Sequence, residues 1–292
     1  MTNPTRAGDS RPDRGAVLVT GASTGIGEAT AVHLAQRGHQ VFAGVRRDID
    51  GQRLLGRATG ITPVILDVTD QSQIDAAAKS IGDTVGDSGL AGLVNNAGIG
   101  RGGPLEYLLQ DDWRLQFDVN VLGQVAVTRT MLPLIRKATG RIVLVGSIGG
   151  RMSTPFIAPY NSSKFALAAI SDSLRGELHS FGIHVSLIEP GAVKTDIWEK
   201  GRQRTDELAG ELPPEAMERY GKVLERARTM IDFQERSGVP ARKVAEAIEH
   251  ALSSRRPKPR YLVGKDAKAQ ALVARFVPLR VRDAMIRKVL KI

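Results

Sequence analysis

Tyr160 and Lys164 stand four residues apart in the run Tyr160-Asn161-Ser162-Ser163-Lys164, and Ser147 lies thirteen residues before the tyrosine. On a helix that spacing stacks phenol and ammonium on one face, one turn apart. A neighbouring cation favours the phenolate and lowers a pKa that starts near ~10. To work near neutrality, the phenol needs its ionised form favoured by roughly 4 kcal/mol. A serine hydroxyl can steady an oxygen whose charge changes. Such a trio can carry a proton to or from an alcohol. A Tyr-x-x-x-Lys pair is also an ordinary feature of amphipathic helices, so the elements around it decide its meaning.

The apolar run Ala16-Val17-Leu18-Val19-Thr20 reads as a buried parallel strand. The turn Thr20-Gly21-Ala22-Ser23-Thr24-Gly25-Ile26-Gly27 follows it directly, and a helical pattern then runs to Gly38. Strand, glycine turn and helix come in the order a dinucleotide site requires. Glycines let the backbone approach a pyrophosphate, and the helix N-terminus holds the anion. The spacing is Gly-x-x-x-Gly-x-Gly rather than Gly-x-Gly-x-x-Gly.

Further candidate strands are Gln40–Val45, Thr62–Leu66, Gly92–Asn95, Gly140–Val145, His184–Glu189 and Arg260–Val263, with helical patterns between the first six. The longest helical runs are Asp111–Arg136 and Pro159–Phe181. This alternation predicts one α/β unit over residues 15–264, a doubly wound parallel sheet with helices on both faces. Gly21, Asp67, Asn95, Ser147 and Pro190 each follow a strand's C-terminal end, where such sheets bind ligands. Residues 1–14 are polar and read as a disordered tail.

Five motifs in order give the chain its resemblance. They are Thr20 to Gly27, Asn95-Asn96-Ala97-Gly98, Asp118-Val119-Asn120, Ser147 with Tyr160 and Lys164, and Pro190-Gly191 with Thr195. The chain resembles the single-domain short-chain dehydrogenases/reductases, on the branch of retinol and 17β-hydroxysteroid dehydrogenases. The resemblance implies the strand order 3-2-1-4-5-6-7. It implies Tyr160 as general acid/base, Lys164 holding the nicotinamide ribose, Ser147 on the substrate oxygen and Asn120 anchoring a water relay from Lys164. It implies a cofactor site over Gly21, Ser23, Thr24, Gly25, Ile26 and Gly27, with Asp67 and Val68 at the adenine and Asn95, Ala97 and Gly98 beside the cofactor. Pro190, Gly191 and Val193 would face the nicotinamide, and Thr195 would bond its carboxamide. Residues Asp111–Arg136 and Pro159–Phe181 would assemble a homodimer or homotetramer.

For the dinucleotide, Val45 stands where NAD-specific relatives carry aspartate, and Arg46 stands where NADP-specific relatives carry arginine. A guanidinium fork suits the 2′-phosphate, so NADP(H) is favoured over NAD(H). Asp48 and a solvated Arg46-Arg47 pair are the competing readings. Other classes share some features. A cofactor-binding sensor or scaffold without chemistry usually lacks the tyrosine or lysine, and a sugar-nucleotide epimerase usually needs a larger substrate domain.

Substrate identity is expected in residues 192–238, a long connection in which Pro213-Pro214 starts a helix able to close as a lid. Ile197, Trp198 and Thr154-Pro155-Phe156-Ile157 would line an apolar pocket, which suggests a bulky alcohol or ketone: a steroid, a retinoid or a fatty chain. The five histidines show no metal spacing, and no metal site is expected. Zero cysteines exclude disulfides and thiolate metal sites. No run of 18 apolar residues occurs, and a cytoplasmic location is expected.

Charge is concentrated at one end. Residues 255–292 hold twelve Lys/Arg and two Asp/Glu, a net of +10 that equals the net of the whole chain. From Pro278, Val281, Ala284, Met285, Val289 and Ile292 form an apolar stripe among arginines and lysines. Residues 265–292 thus read as a basic amphipathic extension. It would lie on an anionic membrane, meet an acidic partner, or dock on its own sheet or a sister subunit. The tail has too few aromatics interleaved with its charges to suit nucleic acid.

Overall fold

The computed structural model describes residues 14–195, 199, 201–203, 206–207, 210 and 212–290; the expected tail before Arg14, the pocket residues Ile197 and Trp198, and Ile292 lie outside the described residues. Arg14 itself belongs to the folded body, through Arg14 N–H to the Gly38 carbonyl and an ion pair with Glu249 at 3.1 Å.

Seven parallel strands form one sheet. They are β1 (Ala16–Val19), β2 (Gln40–Val45), β3 (Ile61–Ile65), β4 (Gly92–Asn95), β5 (Arg141–Val145), β6 (His184–Pro190) and β9 (Arg260–Val263). Their order across the sheet is β3-β2-β1-β4-β5-β6-β9. The expected order holds, the last strand being ninth in the chain because two short strands precede it. These are β7 (Val193–Lys194) and β8 (Val239–Pro240), which pair with each other and staple the two ends of the variable region.

Parallel strands covered on both faces must be apolar throughout, and β1, β4 and most of β5 are fully buried. One face carries α3 (Gln71–Val85), α5 (Gly123–Ala138) and α6 (Ala158–Glu177), with Ile74, Ile81, Met131, Ile135 and Leu167 in the core. The other carries α1 (Gly25–Gln36), α2 (Asp48–Leu55) and α8 (Ala241–Ser253), with Leu34, Leu54, Val244 and Ile248 in a second core. Among the described residues, further α-helices are α4 (Gln110–Phe117), α7 (Pro214–Ser237), α9 (Lys265–Phe276) and α10 (Leu279–Leu290).

The run expected as a single helix from Asp111 to Arg136 is interrupted. A π turn over Asp118–Leu122 separates α4 from α5. The wider turn inserts a residue into the helical ladder, and it turns Asn120 wholly inward. The run expected to reach Phe181 stops at Glu177 and continues as one 3-10 turn, His179–Phe181.

Candidate active site

The glycine turn is shaped by close approaches. Gly21 has φ +62°, and a Cβ there would lie 2.8 Å from the Cα of Ala97. Gly25 has φ +61°, and a Cβ there would lie 3.2 Å from the side chain of Thr195. Two loops more than 70 and more than 160 residues downstream thus converge on the turn. No side chain caps the N-terminus of α1, so its first N–H groups and its positive dipole end are available to an anion.

Thr20 and Asn96 hold the turn to the end of β4. The main-chain N–H groups of Asn96 and Ala97 donate to Thr20 Oγ1, both at 3.0 Å. Asn96 Nδ2 donates to the carbonyls of Thr20 and Gly21 at 3.0 and 3.1 Å. Asn95, expected to support the sheet and touch the cofactor, is fully buried, and its Nδ2 donates to Thr128 Oγ1 on α5 at 2.7 Å. Alternation along a strand sends neighbouring side chains to opposite sides, which is why Asn96 takes the turn and Asn95 the helix.

Asp67 accepts from the N–H and the hydroxyl of Thr69, and Asp70 is the cap of α3. Val68 is buried directly after it. At the end of β2, Val45 is core, and Arg47 is spent on Asp50 through bonds of 2.9 and 3.1 Å. Arg46 is exposed and makes no hydrogen bond or ion pair among the described residues. Asp48 opens α2 as an exposed residue. Arg53 donates to the carbonyl of Ser23, placing a second guanidinium beside the glycine turn.

Ser147, Tyr160 and Lys164 meet at the C-terminal end of β5. Ser147 is extended, and its Oγ accepts from Gly149 N–H at 3.1 Å. The Tyr160 phenol lies near enough to Ser147 for its hydroxyl to favour the ionised form. A Cβ on Gly149 would lie 2.8 Å from Asn161 Oδ1, which is what requires glycine there, and at contact distance, 3.4 Å, from both Ser147 Oγ and the Tyr160 ring, which places the two side by side. Lys164 Nζ lies 5.7 Å from the centre of the Tyr160 ring and donates to the Val145 carbonyl at 2.9 Å.

The electrostatics correct the expectation from spacing. Burial pushes the Tyr160 phenol up, the neighbouring Ser147 hydroxyl pulls it down by less, and Lys164 is not among the causes. Burial pulls the Lys164 ammonium itself down to about 8. The lysine reaches past the ring to a strand carbonyl instead of touching the phenol oxygen.

The Asn120 side chain accepts from Ile99 N–H at 2.8 Å and donates to the Ile99 carbonyl and Ser163 Oγ at 3.0 and 3.1 Å. Its amide hydrogens are spent on bracing the loop after β4, so a water relay through it would have to use its main chain. A Cβ on Gly98 would lie 3.4 Å from Asn120 Oδ1 and 3.8 Å from Lys164 Nζ, which sets both beside this loop.

Beyond β6, a Cβ on Gly191 would collide with the Asp266 carboxylate, which accepts from Ala192 N–H at 2.7 Å. The glycine therefore answers to Asp266 on α9, a residue 74 positions from Ala192 that no local motif marked. Glu189 was likewise unmarked. It is fully buried and held by Arg151 at 2.7 and 2.5 Å, with Arg260 at 3.4 Å. This clamp ties the Ser147 loop to the strand end that leads into Pro190, Gly191 and Val193.

An aromatic cluster joins α7 to the loops on either side of the site. Tyr220 of α7 meets Tyr107 and Phe156 edge-on, at 6.1 and 6.0 Å between ring centres. Its hydroxyl donates to Glu106 at 2.6 Å. Phe156 has φ +69°, unusual for a bulky residue, and its carbonyl is held by Gly103 N–H at 2.6 Å. Among the described residues no cluster fit for a metal ion exists.

A family model described as short chain dehydrogenase matches residues 15–206. The chain is 37% identical over 286 residues to retinol dehydrogenase 5 of Mus musculus, covering 94% of this chain and 88% of that one. It is 34% identical to an NADPH-dependent 3-dehydrocapnine reductase of Ornithobacterium rhinotracheale, covering 94% and 96%. A solved short chain dehydrogenase/reductase from Burkholderia phymatum in complex with NAD superposes with a TM-score of 0.76 at 27% identity, covering 95% of this chain and 96% of that one. With its sheet order, glycine turn and Ser147–Tyr160–Lys164 cluster, the chain belongs to the short-chain dehydrogenase/reductase family, on the branch that includes the retinol dehydrogenases, and is an oxidoreductase of alcohols and carbonyls.

Proposed function

We propose that this protein is an NADP(H)-dependent oxidoreductase interconverting a bulky apolar alcohol, such as a steroid, retinoid or fatty chain, with its carbonyl. The observation that carries the reading is the meeting of Ser147, the Tyr160 ring and the buried Lys164, at the strand ends facing the glycine turn.

When bound at the strand ends, a nicotinamide dinucleotide would supply or accept the hydride. Gly21 and Gly25 admit its pyrophosphate to the N-terminus of α1, where unpartnered N–H groups favour an anion. Arg46 meets the 2′-phosphate, which its open guanidinium suits, and no carboxylate at Val45 competes. Lys164 holds the nicotinamide ribose, and Pro190, Gly191, Val193 and Thr195 close the far side. Ser147 bonds the substrate oxygen, and Tyr160 gives that oxygen a proton in reduction or takes one in oxidation. The positive ring of the oxidised nicotinamide would offset the burial that holds the phenol neutral. Phe156, Tyr107 and Tyr220 offer apolar surface and exclude water.

The exposed apolar residues of the helices on one flank, Leu115, Leu122, Val125 and Phe165, fit assembly into a homodimer or homotetramer through α4, α5 and α6. The test is Tyr160→Phe in single-turnover reduction of apolar ketones. Hydride transfer falls by at least about 100-fold, the scale of a lost general acid, while NADPH still binds by fluorescence titration. Undiminished turnover refutes the role.

A further inference from the structure

The expected apolar stripe of the C-terminal extension faces outward. Val281, Met285 and Val289 follow one another at i, i+4 and i+8 on α10 and are 48%, 48% and 67% exposed. Leu279, at the start of the same helix, is 64% exposed, and Leu272 and Phe276 on α9 are 60% and 68% exposed. The helix rests on the body through its other side, where Leu290 is buried. Six large apolar side chains thus stand in water on two consecutive helices. A monomeric protein rarely leaves a patch of this kind uncovered.

The patch is rimmed by cations. Arg280, Arg287 and Lys288 flank the stripe on α10, and the Arg275 guanidinium lies 5.2 Å over the Phe276 ring. A second copy of the same face carries the same +10 segment and would be repelled. Nucleic acid would leave the apolar stripe in water. An interfacial helix with an apolar stripe and a Lys/Arg border is what an anionic lipid surface holds.

We propose that the outer faces of α9 and α10 form a lipid-docking surface that seats this protein on anionic membranes beside its candidate active site. Both helices are tied to the elements around that site. On α9, Asp266 holds Ala192 N–H, and Ala267 and Ala271 pack on Ile148 next to Ser147. On α10, the Leu290 carbonyl accepts from Arg226 of the lid helix α7 at 2.7 Å. One helix diameter, about 10 Å, then separates lipid from the loops that carry Ser147 and Gly191. An apolar alcohol dissolved in the bilayer reaches Tyr160 by a short path. This last step rests on the proposed apolar substrate, whereas the docking does not.

The experiment is flotation of the full-length protein with vesicles of phosphatidylcholine alone or mixed with phosphatidylserine, at low and high salt. Binding to the phosphatidylserine vesicles, lost at high salt, is expected. The double variant Val281→Asp/Met285→Asp changes exposed residues only and abolishes flotation. Arg287→Gln/Lys288→Gln weakens it about 25-fold, each cation near the surface contributing about a factor of five. Both variants keep NADPH binding and turnover of a water-soluble ketone. Absence of flotation at low salt overturns the proposal. So does undiminished flotation of the aspartate variant, or a change in its oligomeric state on gel filtration, which would assign the patch to a sister subunit. Capture by an acidic polyglutamate peptide with no vesicle binding overturns it in favour of an acidic protein partner. Loss of NADPH binding in unmodified protein would instead count against the catalytic reading.

Discussion

Replacing Lys164 with methionine should make the folded protein more stable near neutrality while abolishing its chemistry. The ammonium is 5% exposed, and burial lowers its pKa from 10.5 to about 8. Below pH 8 the lysine is protonated in both folded and unfolded chains, and the folded state bears the full penalty. Between pH 8 and 10.5 the unfolded chain holds the extra proton, so stability rises with pH by linkage. Above 10.5 the penalty is gone. The shift corresponds to about 3 kcal/mol at pH 7. Methionine removes that penalty but leaves the Val145 carbonyl without its donor, a cost of about 1 kcal/mol. The net gain is about 2 kcal/mol, or roughly 4 °C in Tm for a domain of this size. Thermal melts of both proteins at pH 7 and 10.5 measure it: the variant melts higher at pH 7, and the advantage vanishes or reverses at pH 10.5. A variant that melts lower at pH 7 by the same margin as at pH 10.5 would refute the desolvation argument and place Lys164 among stabilising contacts.

Glu189→Ala leaves the Arg151 guanidinium without its buried partner and should cost about 3 kcal/mol, read as a lower urea midpoint; no change would mean the clamp of 2.5 and 2.7 Å is dispensable. Arg46→Ser should weaken NADPH about 10- to 100-fold, the worth of a charge-assisted hydrogen bond, and leave NADH unchanged in a fluorescence titration; equal loss of both cofactors would sink the 2′-phosphate role. Phe156→Gly relieves a left-handed backbone worth about 1 kcal/mol and gives up edge contacts of similar size. Its Tm should therefore hold while KM rises for bulky ketones and not for small ones, and a uniform loss of kcat would contradict a wall function.

Local spacing carried much of this protein. The strand–glycine–helix order, the alternation giving seven parallel strands, the Tyr160–Lys164 spacing and the i, i+4 stripe on the last helix are periodic or contiguous features, and periodicity alone reports them. Folding decided what depends on partners far along the chain. Asn96, not Asn95, holds the turn because the strand's pleat aims it there. Arg46, not Arg47, is open because Asp50 takes the latter. Asp266 sets the need for Gly191, Glu189 clamps the Ser147 loop, and a π turn buries Asn120. Spacing could put a cation one turn from the phenol, but the direction of each pKa follows from desolvation, which exists only after the chain has closed around the pair. Which face of the final helix looks outward is likewise set by what its opposite side packs on, through Leu290.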